Sequence, residues 1–273
     1  MFQPVPVAEA VQPAPQPAPF VERMIAATVQ IDQPIDGATR QAATAFLVNA
    51  PRPDGSPRTV LVTAAHVLER MPGPVARIAW RFQTAPGRWT RELRPVTIRV
   101  QTPAGGQVAA WVRSPEQDVA VMEIAAPPEF ARAAVPLAWL GDETTSERLR
   151  LTAGDEMLTL GYPGGLSANS AGFPILRTGR VASFPLTPVR EFPLFLLDFR
   201  VFAGNSGGPV FVTDRTDAAL PSARPPVVTG VLVRQTEQDG QTFELGVVAH
   251  AAYVRQAVAL LDRQPSPPRR SGR

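Results

Sequence analysis

Three short segments each place a reactive residue type beside small neighbours: His66 in LVTAAHV, Asp118 in EQDVAVMEI and Ser206 in AGNSGGPVF. Taken singly, each has an ordinary reading. A histidine after a strand is commonly a hydrogen-bonded core residue, and an aspartate before a strand or a serine among glycines is commonly a turn residue. Together they supply what acyl transfer requires: a hydroxyl too weakly acidic to attack unaided, an imidazole to take its proton, and a carboxylate to fix the imidazole tautomer. The glycines around Ser206 then acquire a purpose. Gly204 lets the backbone turn so that its own N–H and that of Ser206 converge on one spot, an oxyanion hole worth roughly 3 kcal/mol per donor. Gly207 and Gly208 permit close packing beneath the nucleophile.

The elements that would carry these residues are short strands. From Val21 onward apolar runs alternate with Pro, Gly and Asp turns: AATVQI, ATAFLV, TVLVTA, ARIAWRF, VTIRV, QVAAWV and DVAVMEI. A second series follows, MLTLGY, PILRTGRVAS, LFLLDFRV, GPVFV, PVVTGVLV and TFELGVV. Six or seven strands in each half predict a sandwich or a pair of barrels, with the break near Ala125 to Pro136. Only His250 to Leu261 reads as a helix of ordinary length, with Tyr253, Ala257, Leu260 and Leu261 at helical spacing. Residues 1–20, with six prolines at low complexity, predict an extended linker, and 262–273 a disordered Arg-bearing tail.

Composition removes several classes of function. The 273-residue chain has no cysteine, so disulfide frameworks, thiolate metal sites and cysteine nucleophiles are excluded, and with two histidines a His-rich metal site is not expected. All 27 basic residues are arginine. The pI of 10.4 therefore reflects the absence of lysine, which would shed its charge near pH 10, and not a polyanionic partner. Four Arg fall in 262–273, leaving the body close to neutral. The run from Arg77 to Arg99 has six Arg against Glu92, with Trp80, Phe82 and Trp89 between them. It resembles a nucleic-acid surface, but barrel strands with Arg facing water explain it as well, and no nucleic-acid partner is expected. The longest uncharged stretch, Met157 to Leu176, carries four Gly and two Pro, so no transmembrane segment is expected. Ala8-Glu9-Ala10 resembles a signal-peptide cleavage site without a usable apolar region before it. An exported or periplasmic protein is the expectation, with the cytoplasm also compatible.

TAAHV, DVAV and GNSGGP, in that order, resemble the motifs of trypsin-like serine proteases of the chymotrypsin fold, with bacterial HtrA/Deg and glutamyl-endopeptidase branches the most similar. LGYPGG, ILRTGRVAS and LDFRVFAGNSGGP add to the resemblance, which covers roughly Val21 to Leu261. It implies an all-β fold of two six-stranded antiparallel β-barrels with a C-terminal α-helix. The first barrel would span 21–130 with His66 and Asp118, and the second barrel and helix 131–261 with Ser206. It also implies a serine endopeptidase acting on a protein or peptide substrate without metal or organic cofactor, and leaves the oligomeric state open. Asn205 stands where the digestive branch carries an Asp that pairs with a newly cut N-terminus, so activation of that kind is not expected. With 67 residues after Ser206, a PDZ domain is not expected either. The alternative is a catalytically silent protease-fold scaffold.

By resemblance, the primary pocket would be lined by Arg200, Val201 and Phe202 before the nucleophile loop and by Val231, Leu232 and Val233 after it. Alternate strand residues face opposite ways, so Val201 and Arg200 cannot both point inward. Val201 inward gives an apolar pocket and is the reading we favour. Arg200 inward, joined by His250, would select acidic side chains.

Overall fold

The computed structural model describes residues 19–36, 40–213, 226–238 and 241–263. The linker expected over 1–18 and the tail expected over 264–273 lie outside these residues. The first described element is a helix, α1 (Phe20–Ala27). This corrects the expectation of a linker reaching residue 20, and adds a short helix to the one of ordinary length expected at 250–261. FVERMIAA contains no Pro or Gly; it buries Met24 and Ala27 and sets Phe20 against Trp139 (5.0 Å) and Phe211 (5.7 Å). Tertiary burial of this kind, more than propensity, is what holds so short a helix.

The first half continues through β1 (Thr28–Pro34), β2 (Arg40–Asn49), β3 (Thr59–Thr63), α2 (Ala65–Glu69), β4 (Val75–Ala85), β5 (Arg88–Thr97), β6 (Arg99–Gln101), β7 (Gln107–Ala109), β8 (Val112–Arg113) and β9 (Ala120–Ile124). Helix α3 (Pro128–Ala133) and β10 (Val135–Pro136) occupy the predicted break between halves. The second half holds α4 (Thr145–Arg148), β11 (Glu156–Gly161), β12 (Ile175–Val181), β13 (Leu194–Asp198), β14 (Pro209–Val212), β15 (Val227–Gln238), β16 (Gln241–His250) and α5 (Ala251–Leu261).

Strands of the second half close into a six-stranded barrel in the order β11-β12-β13-β16-β15-β14. The first half differs from the expected six strands. Its ladder is an eight-stranded sheet, β5-β4-β1-β2-β3-β9-β8, with β10 added in parallel to β2. No ladder joins β5 to β8 among the described residues, because the intervening β6 and β7 pair with each other as a separate ribbon.

One core lies within the first sheet and continues between the halves, where Tyr253, Val254 and Ala257 of α5 join it. A second core, with Phe195, Leu197, Val210 and Val248, fills the closed barrel.

The arginine run from 77 to 99 is not the solvated face that the sequence predicts. Arg81 is buried, Arg77 pairs with the buried Asp32 (2.9 Å), and Arg91 donates to Gln30. Arg99 donates to four carbonyls, those of Leu68, Glu69, Met71 and Gly73. Only Arg88 and Arg94 are exposed. The long β4-β5 hairpin folds over the rest of the first sheet, and its arginines satisfy buried acceptors there.

Candidate active site

His66 and Asp118 meet because their strands are neighbours. β3 and β9 pair antiparallel with Thr63 opposite Ala120, so the chain leaving β3 and the chain entering β9 lie side by side. The main-chain N–H of Ala65 donates to the Asp118 carbonyl (3.3 Å). His66 Nδ1 lies 2.6 Å from Asp118 Oδ2, and the His66 main-chain N–H donates to Asp118 Oδ1 (2.9 Å). Both carboxylate oxygens are thus committed to one residue, which fixes the imidazole in position and tautomer. Burial pushes the Asp118 carboxyl upward, but the hydrogen bonds from His66 outweigh it and hold the group below the usual carboxylate value. Asp118 is therefore ionised at neutral pH. Beyond the histidine, the Arg99 guanidinium gathers the last carbonyls of α2 and of the turn that follows, pinning the short helix on which His66 rides.

Ser206 arrives on the turn before β14. Its carbonyl accepts the Thr44 N–H (3.0 Å), and the Thr44 hydroxyl donates to the Gly204 carbonyl (2.7 Å) while accepting the Tyr162 N–H (3.1 Å). The Thr63 hydroxyl donates to the Thr44 carbonyl (2.7 Å), which ties the serine loop to the strand that leads into His66. Thr44 and Thr63 hold the Ser206 loop in place, and the motif reading missed both. The one signal for Thr44 was a polar residue inside the apolar run ATAFLV.

Three carbonyls of the Ser206 loop are hydrogen-bonded, two to other segments and the third across the loop's own turn. Ala203 accepts from the Gly164 N–H (2.6 Å), Gly204 from Thr44, and Asn205 from the Gly208 N–H (3.0 Å). In a trans peptide the N–H points opposite to the C=O. The N–H groups of Gly204 and Ser206 therefore point away from these anchors, and neither has a hydrogen-bond partner among the described residues. Gly204 has φ +95, and a Cβ there would fall 2.3 Å from the Tyr162 carbonyl, so only glycine fits. No hydrogen bond joins the His66 and Ser206 side chains among the described residues.

Gly207 gives a direct prediction. A Cβ at this residue, φ +88, would sit 2.1 Å from the Thr44 carbonyl and 2.2 Å from the Thr63 hydroxyl. Gly207→Ala is expected to destabilise the protein by about 3–5 kcal/mol, the left-handed backbone cost and the steric clash combined. A thermal melt would read this as a large fall in Tm, and an unchanged Tm would contradict the packing described.

The residues predicted to form the primary pocket divide into three groups. Val201 (5% exposed) and Leu232 (1% exposed) face the second core together with Phe199. They close on Gly246, where a Cβ would fall within 3.1 Å of all three side chains. Val231 and Val233 lie on the opposite face of β15, in the core between the halves. Arg200 turns outward, 3.5 Å from Glu244, and Phe202 is exposed with the Arg177 and Arg200 guanidinium groups over its ring.

His250 is not placed with Arg200. It precedes α5, buried with its ring 4.9 Å from that of Phe195, and its Nε2 has no partner among the described residues. Burial pushes its imidazole down to about 4, against an opposing backbone contact from Phe192. The folded state thus keeps His250 neutral where the unfolded chain, near 6.5, takes up a proton. Stability is lost as pH falls from about 6.5 to 4, by roughly 3 kcal/mol. Urea melts across this window should show that loss in the wild type and a flatter profile in His250→Leu; an equal slope in both would refute it.

Among the described residues no group of three or more acidic or histidine side chains could hold a metal, and no helix is long and apolar enough to cross a membrane. The sequence profile described as the trypsin-like peptidase domain matches residues 43–220, about two thirds of the chain. The chain belongs to the trypsin-like peptidase family. Comparison with curated proteins finds no match. Among solved structures, this trypsin-like peptidase resembles a variant of the HtrA-type protease AlgW with tripeptide, at 16% identity and TM-score 0.51. That match covers 89% of this chain and 62% of the AlgW chain, so the chain spans about three fifths of that relative's length. Protease Anisep from Arthrobacter nicotinovorans matches at 12% identity and TM-score 0.49, over 88% of this chain and 97% of that one. An inactive form of Rv3671c from M. tuberculosis H37Rv matches at 18% identity and TM-score 0.49, over 94% and 100%. At such identities the likeness is one of fold.

Proposed function

We propose that this trypsin-like peptidase is a serine endopeptidase. Ser206 Oγ attacks the scissile carbonyl as His66 Nε2 takes its proton, and the Asp118 carboxylate stabilises the imidazolium that forms. The N–H groups of Gly204 and Ser206 hold the oxyanion of the tetrahedral intermediate. His66 then protonates the leaving amine, and water, deprotonated by the same imidazole, cleaves the acyl-enzyme. No step calls for a metal or organic cofactor.

The observation that carries this reading is the double grip of Asp118 on His66, Nδ1 at 2.6 Å and main-chain N–H at 2.9 Å, on the strand tied to the serine loop. The test is labelling of the folded chain with a fluorophosphonate, with the modified residue located by mass spectrometry. Modification at Ser206 is expected; a folded protein that stays unmodified argues for the silent-scaffold reading. That second reading has one observation in its favour, the missing hydrogen bond between His66 and Ser206. Against it stands the loop itself, whose three carbonyls are turned away from the proposed oxyanion position.

For the primary side chain we infer an aliphatic or small residue. Support comes from Arg200 lying against Glu244 and His250 packing on Phe195, which leaves neither to form a pocket for acidic side chains. Cleavage of a peptide library should show an apolar preference; a preference for Glu or Asp would reverse this assignment.

A further inference from the structure

Arg81 of β4 is a cation, 3% exposed, for which no carboxylate partner is present among the described residues. Its Nη1 donates to the Tyr162 hydroxyl (2.8 Å), and its Nη2 to the carbonyls of Ile25 (3.1 Å) and Ala26 (3.0 Å) at the end of α1. The guanidinium lies 5.6 Å from the Phe130 ring centroid and 5.1 Å from that of Phe173. These rings, with Trp89 and Ala133, wall a cavity of about 120 Å³ that Arg81 and Glu129 also line. Burial pushes the Arg81 guanidinium down, and neighbouring Arg91 adds to this while Tyr162 opposes it. A buried guanidinium with neutral partners only is costly, and a carboxylate placed against it would offset that cost.

The cavity fixes the rest of the ligand. Its size is close to the roughly 150 Å³ that accommodates benzene in an engineered apolar cavity. Three aromatic walls favour a planar ring. Glu129, the one carboxylate in the lining, disfavours a second negative charge beside it, whereas Arg81 attracts one.

We propose that this cavity is a binding site for a small aromatic carboxylate, with the carboxylate on Arg81 and the ring between Trp89, Phe130 and Phe173. The same chemistry is offered by a free aromatic acid and by a peptide that ends in an aromatic residue. Occupancy would also reach the nucleophile loop. Tyr162, whose hydroxyl meets Arg81, has its carbonyl against Gly204 and its N–H on the Thr44 hydroxyl that holds the Gly204 carbonyl. This coupling rests on the serine endopeptidase reading, whereas the binding site does not.

The experiment titrates the folded full chain with benzoate, N-acetylphenylalanine and their uncharged amides, read by calorimetry and by nuclear magnetic resonance shifts. Saturable binding of the acids, at least tenfold tighter than of the amides, is expected, and the stronger acid identifies the source. Arg81→Met should abolish the preference for the acids. Because that variant removes three hydrogen bonds and could fail to fold, Ala133→Leu is the second arm: it fills the cavity, leaves Arg81 in place, and should weaken binding at least tenfold. No binding to the wild type, equal affinity for acid and amide, or undiminished binding to a folded Ala133→Leu would each overturn the site. The rate of fluorophosphonate labelling at saturating acid should change at least twofold. An unchanged rate with binding intact would overturn the coupling alone, and a chain that binds the acid but never labels would count against the endopeptidase reading.

Discussion

Ser206→Ala is expected to lower kcat for peptide hydrolysis by about 10⁶-fold, close to 8 kcal/mol of transition-state stabilisation, while leaving the fold unchanged. The size of the effect follows from the roles assigned. Without the hydroxyl there is no acyl-enzyme, and what remains is attack by water helped only by the oxyanion donors and by binding. The fold should survive because the Ser206 hydroxyl makes no hydrogen bond among the described residues, and the loop is held by main-chain groups, above all the Ser206 carbonyl on the Thr44 N–H. Turnover of the best peptide from a library, set beside a thermal melt, measures both. A variant that keeps more than about 1% of wild-type kcat would remove Ser206 from the mechanism.

Asp118→Asn separates geometry from charge. The amide oxygen can still accept the His66 main-chain N–H that Asp118 Oδ1 accepts at 2.9 Å, so the loop is expected to hold its place. The amide NH₂ then faces His66 Nδ1 in place of a carboxylate oxygen. A donor there selects the tautomer with its proton on Nε2, which cannot take a proton from Ser206. Loss of about 10⁴-fold in kcat is expected, with KM little changed. The substitution also tests a stability term. The Asp118 carboxyl is held below its ordinary value in the folded state, so its contribution is present above about pH 4 and lost as the pH falls below it. Urea melts should show the wild type losing stability in that acid range and the variant lacking that part of the loss. This window lies below the one set by His250, so the two can be resolved in one pH series. Near-wild-type kcat in Asp118→Asn would mean that another group orients His66.

The effects expected at Ser206 and Asp118 differ by two orders of magnitude, although both residues were legible in the same way: a reactive type beside small residues at a strand end. TAAHV, DVAV and GNSGGP could be read as candidate motifs because each depends on neighbours within a few positions. The glycines are needed by the local backbone, as φ at Gly204 and Gly207 bears out. Arg200 and Val201 do point opposite ways, but on the segment after β13 and with Val201 in the barrel core, which strand alternation alone did not foretell. Thr44 could not be read. Its hydroxyl is opposite the nucleophile loop only because β2 lies beneath residues 160 positions further along the chain.

The arginines make the same point from the side of charge. As a sequence, 77–99 is a basic run, and sequence alone cannot say which of its members face solvent. Strand β4 sends Arg77 to Asp32 and Arg81 to Tyr162, and β6 sends Arg99 to the carbonyls at the end of α2 and just after it, each contact crossing at least 26 positions of sequence. The helix at Phe20 was hidden likewise, since its stability comes from Trp139 and Phe211.

The amino-acid sequence by itself therefore determined the catalytic candidates, the all-β class and the closing helix, because periodicity, turn residues and glycine requirements act over a few residues. Tertiary structure alone decided the open first sheet, the grip of Asp118 on His66 Nδ1 and main-chain N–H, the threonine ties beneath Ser206 and the burial of Arg81 and His250. Each of these depends on which distant segments come within hydrogen-bonding distance, and long-range pairing leaves no periodic trace in a single chain.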